Sequence, residues 1–256
     1  PFMSCAGRLP IFVLLALAFF PHNSDLALLG IYFLGVLLAI LSAVVLSRFI
    51  KEDDLPFVME LPPYRVPTGK AIWRHTWEKG KQYLEKMATT ILIGSVVIWC
   101  LGYFPRSDKG AEYQQEHSYI GQLGKAVSPA LDPLGFSWKM DIGLLTGVVA
   151  KELVVSTLGV MYASDEPAVS EAVEAADTDA LAADTQLQGT LARSVTLPAA
   201  VAYMIFILLY FPCIATFVAI KNETGKWRWA IAVCAYTMVV AWLAAFIGFH
   251  ITALLI

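Results

Sequence analysis

Two long runs without Asp, Glu, Lys or Arg limit what this chain can fold into more than any other feature. Residues 26–47 form one such stretch of 22 residues, and residues 229–256 form another, interrupted only by His250. In a helix, about 20 apolar residues cross the roughly 30 Å hydrocarbon core of a bilayer, so both runs are long enough. The remainder of the chain agrees, with 58% hydrophobic residues, 15% charged residues and a mean hydropathy of +0.64. A soluble domain of this size needs a more polar exterior. The expected fold class is an all-α integral membrane protein, a polytopic helical bundle.

Charge placement orients the bundle. A short apolar run over 9–20 and a long one over 26–50 are the first two predicted membrane helices, joined through Pro21 and Asn23. Residues 51–86 then carry Lys51, Arg65, Lys70, Arg74, Lys79, Lys81 and Lys86, which makes this stretch cytoplasmic by the positive-inside rule. Pro62, Pro63 and Pro67 shape it into an elbow, and Thr68 is a suitable N-cap. Ile72, Trp73, Trp77, Tyr83 and Leu84 recur at helical spacing, predicting an amphipathic helix on the inner membrane surface that feeds a third span over 87–104. Because the basic side chains flank membrane spans, no nucleic-acid partner is expected. Residues 105–139, with an amphipathic stretch near 120–131, and the acidic loop 163–192 fall on the periplasmic side. That loop holds seven Asp and Glu and no Lys or Arg, so it cannot build a core and is expected to be disordered. A span over 197–220 ends at Lys221, Lys226 and Arg228, placing 221–228 in the cytoplasm, and the last span exits outward.

These orientations impose a parity condition. The third span ends outside and the span at 197–220 starts outside, so the chain between them crosses an even number of times. Only residues 142–162 are apolar enough to enter the membrane there. The segment must dip and return as a re-entrant or broken helix, or pair with the weaker stretch before it. Irregular backbone at membrane depth is tolerated only when it is buried in protein or lines a cavity.

Lys151 and Glu152 lie inside that segment. Each ionisable group at the bilayer centre costs about 2.5–3.5 kcal/mol on insertion scales, so the couple must face protein or water. It either marks a transport pathway or acts as a structural ion pair between helices. Gly147 and nearby small residues, with Ser156, permit close approach and bending. Four cysteines, Cys5, Cys100, Cys213 and Cys234, lie in or beside apolar segments, which favours free thiols over a disulfide framework. Cys5 follows Pro1 and Cys213 follows Pro212, and a proline in a helix frees a carbonyl four residues back. A mixed path of thiol and carboxylate ligands suits Fe²⁺ better than Mg²⁺, although a buried cysteine can also serve as a small hydrophobe. Cys100 and Cys234 lack a neighbouring proline and are read as packing. The P-loop, His-Glu-x-x-His and Gly-x-Ser-x-Gly patterns are absent, so no catalytic residue is assigned and the chain is not expected to be an enzyme by itself.

Four stretches in order resemble the FeoB family of bacterial ferrous-iron transporters. They are Pro1-Phe2-Met3-Ser4-Cys5-Ala6-Gly7-Arg8-Leu9-Pro10, the elbow from Pro56 through Glu60 to Thr68, Thr146-Gly147-Val148-Val149-Ala150-Lys151-Glu152, and Pro212-Cys213-Ile214-Ala215-Thr216 with its trailing Glu223 to Trp227. The resemblance implies a gate-type, nucleoside-transporter-like repeat over 87–256, with Fe²⁺ as the transported ion in the bacterial inner membrane. It implies an N-terminal GTP-binding domain using GTP and Mg²⁺ and a first gate repeat outside this chain, which is accordingly expected to be part of something longer. Small accessory cytoplasmic Feo proteins and a homo-oligomer are further partners it suggests. Carried onto this sequence, it places Cys5 and Cys213 on a cysteine-lined iron path; with the intramembrane couple read above, the expected pathway residues are Cys5, Cys213, Lys151, Glu152, Ser156 and Thr216, and the expected metal ligands Cys5, Cys213 and Glu152. Pro1, Arg8, Glu60, Gly147 and Pro212 become structural or gating positions. The sequence departs from the usual family pattern after Cys5, where Ala6-Gly7 replaces Gly or Ser followed by Ala. Two other readings stay open: a gate-type transporter of another solute such as a nucleoside, and a non-conducting scaffold that anchors a GTPase.

Overall fold

Long apolar runs become helices here because a helix satisfies its own backbone groups, which lipid cannot do. In the computed structural model, residues 2, 5–49, 68–105, 113, 116–163, 180–211 and 213–255 are described, and every described element is helical. Ten α-helices follow in order: α1 (Leu9–Phe19), α2 (Ser24–Phe49), α3 (Gly69–Tyr103), α4 (Tyr119–Leu131), α5 (Trp138–Val149), α6 (Leu153–Ala163), α7 (Ala180–Ser194), α8 (Leu197–Leu209), α9 (Ile214–Thr224) and α10 (Trp227–Leu255). Two of them, α2 and α10, are each long and apolar enough to cross a membrane. Their outward faces carry exposed Leu29, Phe33, Val239 and Leu243, side chains suited to lipid.

The core is built around α8. Ala199, Ala202, Tyr203, Phe206, Ile207 and Leu209 are all buried, so this helix is surrounded on every side. Its main partner is α10, which offers a stripe of small residues: Ala230, Cys234, Thr237, Ala241, Ala245 and Gly248 are its buried positions. Spacings of three and four residues align them on one face. Close backbone approach follows, with Ile205 of α8 occupying the space beside Gly248. Cys234 therefore packs as expected, whereas Cys100 is exposed on α3.

Residues 142–162 do not form one helix. α5 ends at Ala150, whose backbone is extended (φ −149°, ψ 131°), Lys151 and Glu152 form a turn, and α6 leaves from Leu153. The two helices fold back on each other: Thr157 donates to Thr146 at 3.1 Å, and Leu158 of α6 packs at Gly143 of α5. This is the hairpin that the parity condition anticipated. α4 braces its first arm, since Ile142 and the Trp138 carbonyl lie beside Gly124.

Several expectations need correction. The span over 197–220 is two helices, α8 and α9, separated at residues 210–213. Phe211 precedes a proline, which pushes the preceding residue out of the helical region. The surface helix and third span are one unbroken helix, α3, because residues 69–103 contain no proline and its glycines are isolated. At 1.5 Å per residue its 35 residues extend roughly 52 Å. Part of the acidic loop is ordered as α7, with Leu187, Thr190 and Leu191 buried. Leu187 and Leu191, four residues apart, supply a narrow apolar seam that packs against α1 and α6. The last turns of α7 meet α8 at a bend of 112°. Residues 164–179, and residues 51–67 of the elbow, lie outside the described residues.

Candidate functional site

Three non-helical segments meet beside the C-terminal end of α8. The first comprises Phe2, Cys5 and a single 3-10 turn, Ala6–Arg8. Phe2 is buried, its ring meets Tyr236 of α10 edge-on, and its carbonyl lies beside Gly35 of α2 together with Leu208. The second is the hairpin tip at Lys151 and Glu152. The third is the break between α8 and α9, where Tyr210 and Cys213 are extended. Helices bring these loops together, and the loops carry the polar chemistry.

Lys151 is the centre of the cluster. It is only 4% exposed, its Nζ donates to the Phe211 carbonyl at 2.9 Å, and it stands 3.2 Å from the centre of the Tyr210 ring. Cys5, Arg8 and Cys213 are all within electrostatic reach of it. Arg8 is likewise buried and senses Cys5, Tyr210 and Cys213. The Sγ of Cys213 lies 3.4 Å from the Thr216 hydroxyl. Glu152 is exposed, and its carboxylate abuts Gly7 of the entry segment, with Oε1 2.5 Å from where a methyl group at Gly7 would lie. Among the described residues no ion pair joins Lys151 to Glu152. The simple helix-glue reading of that couple therefore loses its geometry.

Tyrosines of α8 register the hairpin against it. Tyr203 donates to the Met140 carbonyl at 3.1 Å and Tyr210 to the Leu144 carbonyl at 3.4 Å. Both hydroxyls fit over glycines of α5, Tyr203 at Gly143 and Tyr210 at Gly147. Gly147 thus lets the tyrosine under Lys151 approach, in keeping with its expected structural role.

Not every expected site residue joins this cluster. Ser156 faces a cleft of about 410 Å³ between α3 and α6, lined with Trp99, Tyr103, Leu153 and Thr157. Pro1, Glu60 and Pro212 lie outside the described residues. Among the described residues, no three His, Cys, Asp or Glu side chains gather as a metal would require, so Cys5, Cys213 and Glu152 do not form a ready-made ligand set. The physical reason is visible in the charges. Two cations separated by 4 Å repel by about 4 kcal/mol at an effective dielectric constant near 20, and a divalent ion doubles that. Buried Lys151 and Arg8 occupy the centre of the cluster. Asp141, which sequence reasoning passed over, is fully buried near the start of α5, and neither of its oxygens has a hydrogen-bond partner among the described residues. The signal was an acidic side chain immediately before the apolar segment that starts at Ile142.

Comparison with known proteins fits this architecture. The family model for the ferrous iron transport protein B C terminus matches residues 28–79, and the Gate model, described as nucleoside recognition, matches residues 84–227. The chain is 44% identical to an Fe(2+) transport protein A/Fe(2+) transporter FeoB fusion protein of Porphyromonas gingivalis, covering 98% of this chain and 33% of that protein. It is 36% identical to the Fe(2+) transporter FeoB of Campylobacter jejuni, covering 100% and 41%, and 32% identical to that of Methanocaldococcus jannaschii, covering 96% and 35%. No solved structure matches. The chain spans between a third and two fifths of the length of these relatives. With a Gate region over more than half its length and FeoB relatives along essentially all of it, this chain belongs to the FeoB family of ferrous-iron transport proteins.

Proposed function

We propose that the chain forms the membrane pathway of a GTP-dependent Fe²⁺ transporter of the bacterial inner membrane. The convergence of the hairpin tip, the α8–α9 break and the Cys5–Arg8 segment carries this reading, because irregular backbone and buried charge at membrane depth belong to a pathway. Cys5 and Cys213 supply soft ligands and Glu152 a hard one, a mixture suited to Fe²⁺. The ligands act in sequence, with Thr216 beside Cys213. Residues 1–50, the elbow 51–86 and the gate region 87–256 form the parts of this unit, with residues 51–86 and 221–228 cytoplasmic and 105–139 and 163–192 periplasmic. GTP and Mg²⁺ act in an N-terminal domain, with a first gate repeat as the facing partner, and the chain itself performs no catalytic step. Accessory cytoplasmic proteins and self-association complete the proposed set of partners.

Iron uptake by cells carrying Cys213→Ser or Glu152→Ala in the full-length transporter tests the reading. Each is expected to lower uptake at least fivefold at normal membrane abundance, and wild-type uptake in both sinks it. A nucleoside solute is the second reading, favoured by the description of the Gate model. It would want aromatic and amide side chains at the site; the cluster has the Tyr210 ring, but a lysine, an arginine and thiols where amides would stand. Inhibition of transport by nucleosides and not by divalent metals would decide for it.

A further inference from the structure

Asp141 is a buried acid for which the site above has no use. Its side chain has no exposed surface, and neither carboxyl oxygen has a hydrogen-bond partner among the described residues. It lies in the first turn of α5, where the side chains acting on it are Ser128 of the last turn of α4 and Asp132, the C-cap of that helix. Ser128 gives its hydroxyl proton to Asp132 Oδ1 at 2.9 Å, so it turns only an oxygen lone pair to the buried carboxyl. Among the described residues, the other packed elements bring no countercharge. From α8, Tyr203 spends its proton on the Met140 carbonyl at 3.1 Å. From α6, Tyr162 pairs with Ser137 at 3.2 Å, and Lys139 of α5 itself stands over the Trp138 and Tyr162 rings. Lys125 of α4 is bound to Glu116 at 2.6 Å. A carboxylate so placed keeps its charge with neither a donor nor a cation, which is costly. A neutral carboxyl brings an O–H of its own, and the serine lone pair is the acceptor that this O–H needs. We propose that Asp141 holds a proton, and that Asp141, Ser128 and Asp132 form a proton relay from the interior of the bundle to water. The Asp141 O–H donates to Ser128 Oγ, the Ser128 O–H donates to Asp132, and Asp132 is exposed. When a proton leaves, Ser128 takes the Asp141 proton as it passes its own to Asp132, which releases it to water. Each O–H that breaks is matched by one that forms, and Asp141 is left ionised. That charge then stands unbalanced in the first turn of α5, the arm that leads to the hairpin tip at Lys151, so proton occupancy bears on how this arm packs against α4. The relay goes beyond the metal-pathway reading and needs none of it.

Infrared spectroscopy of the full-length transporter in lipid vesicles tests this through the C=O stretch that only a protonated carboxyl shows. At neutral pH the wild type should give such a band, and Asp141→Asn should lack it. In heavy water the band moves as its proton exchanges for deuterium. That exchange should be severalfold slower in Ser128→Ala and in Asp132→Asn, which interrupt the relay and leave the acid in place. A spectrum from which Asp141→Asn removes no protonated-carboxyl band overturns the held proton. A band that exchanges equally fast in wild type and both relay variants overturns the relay. Should Asp141→Asn not fold, Ser128→Ala decides: loss of the acceptor should shift the band to higher frequency, and an unmoved band overturns the proposal. None of these readouts involves a metal, so they stand or fall separately from iron uptake by Cys213→Ser and Glu152→Ala.

Discussion

Lys151 and Glu152 are neighbours in sequence and differ in almost everything else. One is buried on a carbonyl and an aromatic ring, while the other is exposed against Gly7. Glycines control how tightly the turn between α5 and α6 can be held. A methyl group at Gly147 would collide with the Tyr210 hydroxyl and lie 2.6 Å from Val154. Overpacking of this kind costs about 1–3 kcal/mol, so Gly147→Ala should lower thermal stability in detergent and reduce transport together. A variant of undiminished stability would show that the tyrosine is not held at that glycine. Asp141 supplies a contrasting case. A buried carboxylate without a partner is costly, so Asp141→Asn should raise the unfolding midpoint by a few degrees, on the scale of about 2–4 °C per kcal/mol for a chain this long. Calorimetry or a fluorescence melt checks it, and a lowered midpoint would reveal a partner worth more than the charge costs.

At the scale of elements, the helices are joined by polar links set in apolar faces. Trp242 of α10 donates its indole N–H to the Ala130 carbonyl near the end of α4 at 2.9 Å. That carbonyl belongs to the last turn of the helix, where intrahelical partners run out. Trp242→Phe keeps the ring and loses the donor, and should cost about 1 kcal/mol, read as a lower midpoint. At the opposite end of α4, buried Ser118 accepts from the Gly121 amide at 3.2 Å. Ser118→Ala removes this cap and is expected to cost about 1 kcal/mol, visible as faster amide exchange over residues 119–122. Glu116, just ahead, is bridged to Lys125 at 2.6 Å, and the ammonium holds its carboxyl below the usual carboxylate range. A depressed value means that this link is present at neutral pH and is lost only as pH falls through that value. The pair is solvent-exposed, so Glu116→Gln should leave the unfolding midpoint essentially unchanged.

Across the whole molecule, the hairpin α5–α6 and the broken helix α8–α9 point their irregular segments at one another, and α1 inserts its own entry turn between them. Tyr203 and Tyr210 bond to carbonyls of α5 one helical turn apart, Met140 and Leu144, so α5 and α8 run in the same direction. With the proposed orientation, a cysteine introduced at exposed Ser137 should react with a membrane-impermeant maleimide in intact spheroplasts. One introduced at Lys226 should react only after permeabilisation. The reverse pattern would invert the proposed path of the ion.

Much of this architecture was legible in the residues themselves. Length and apolarity alone located α2 and α10, and the basic residues at 51–86 and 221–228, by orienting the third span and the span from 197, demanded an even number of crossings between them. The turn was marked by Lys151 and Glu152, the only ionisable side chains between Ile142 and Leu158. What local sequence could not provide was partnership. Nothing near Lys151 in the chain names Phe211, sixty residues away, as the carbonyl it meets, or separates Ser156 from the cluster while admitting Arg8. Leu187 and Leu191 were hidden in an acidic stretch because two apolar residues per helix suffice once a groove exists to receive them. A bilayer selects for apolar runs and self-satisfied helices, and that selection is written locally; which polar group finds which is decided only when distant helix breaks are packed side by side.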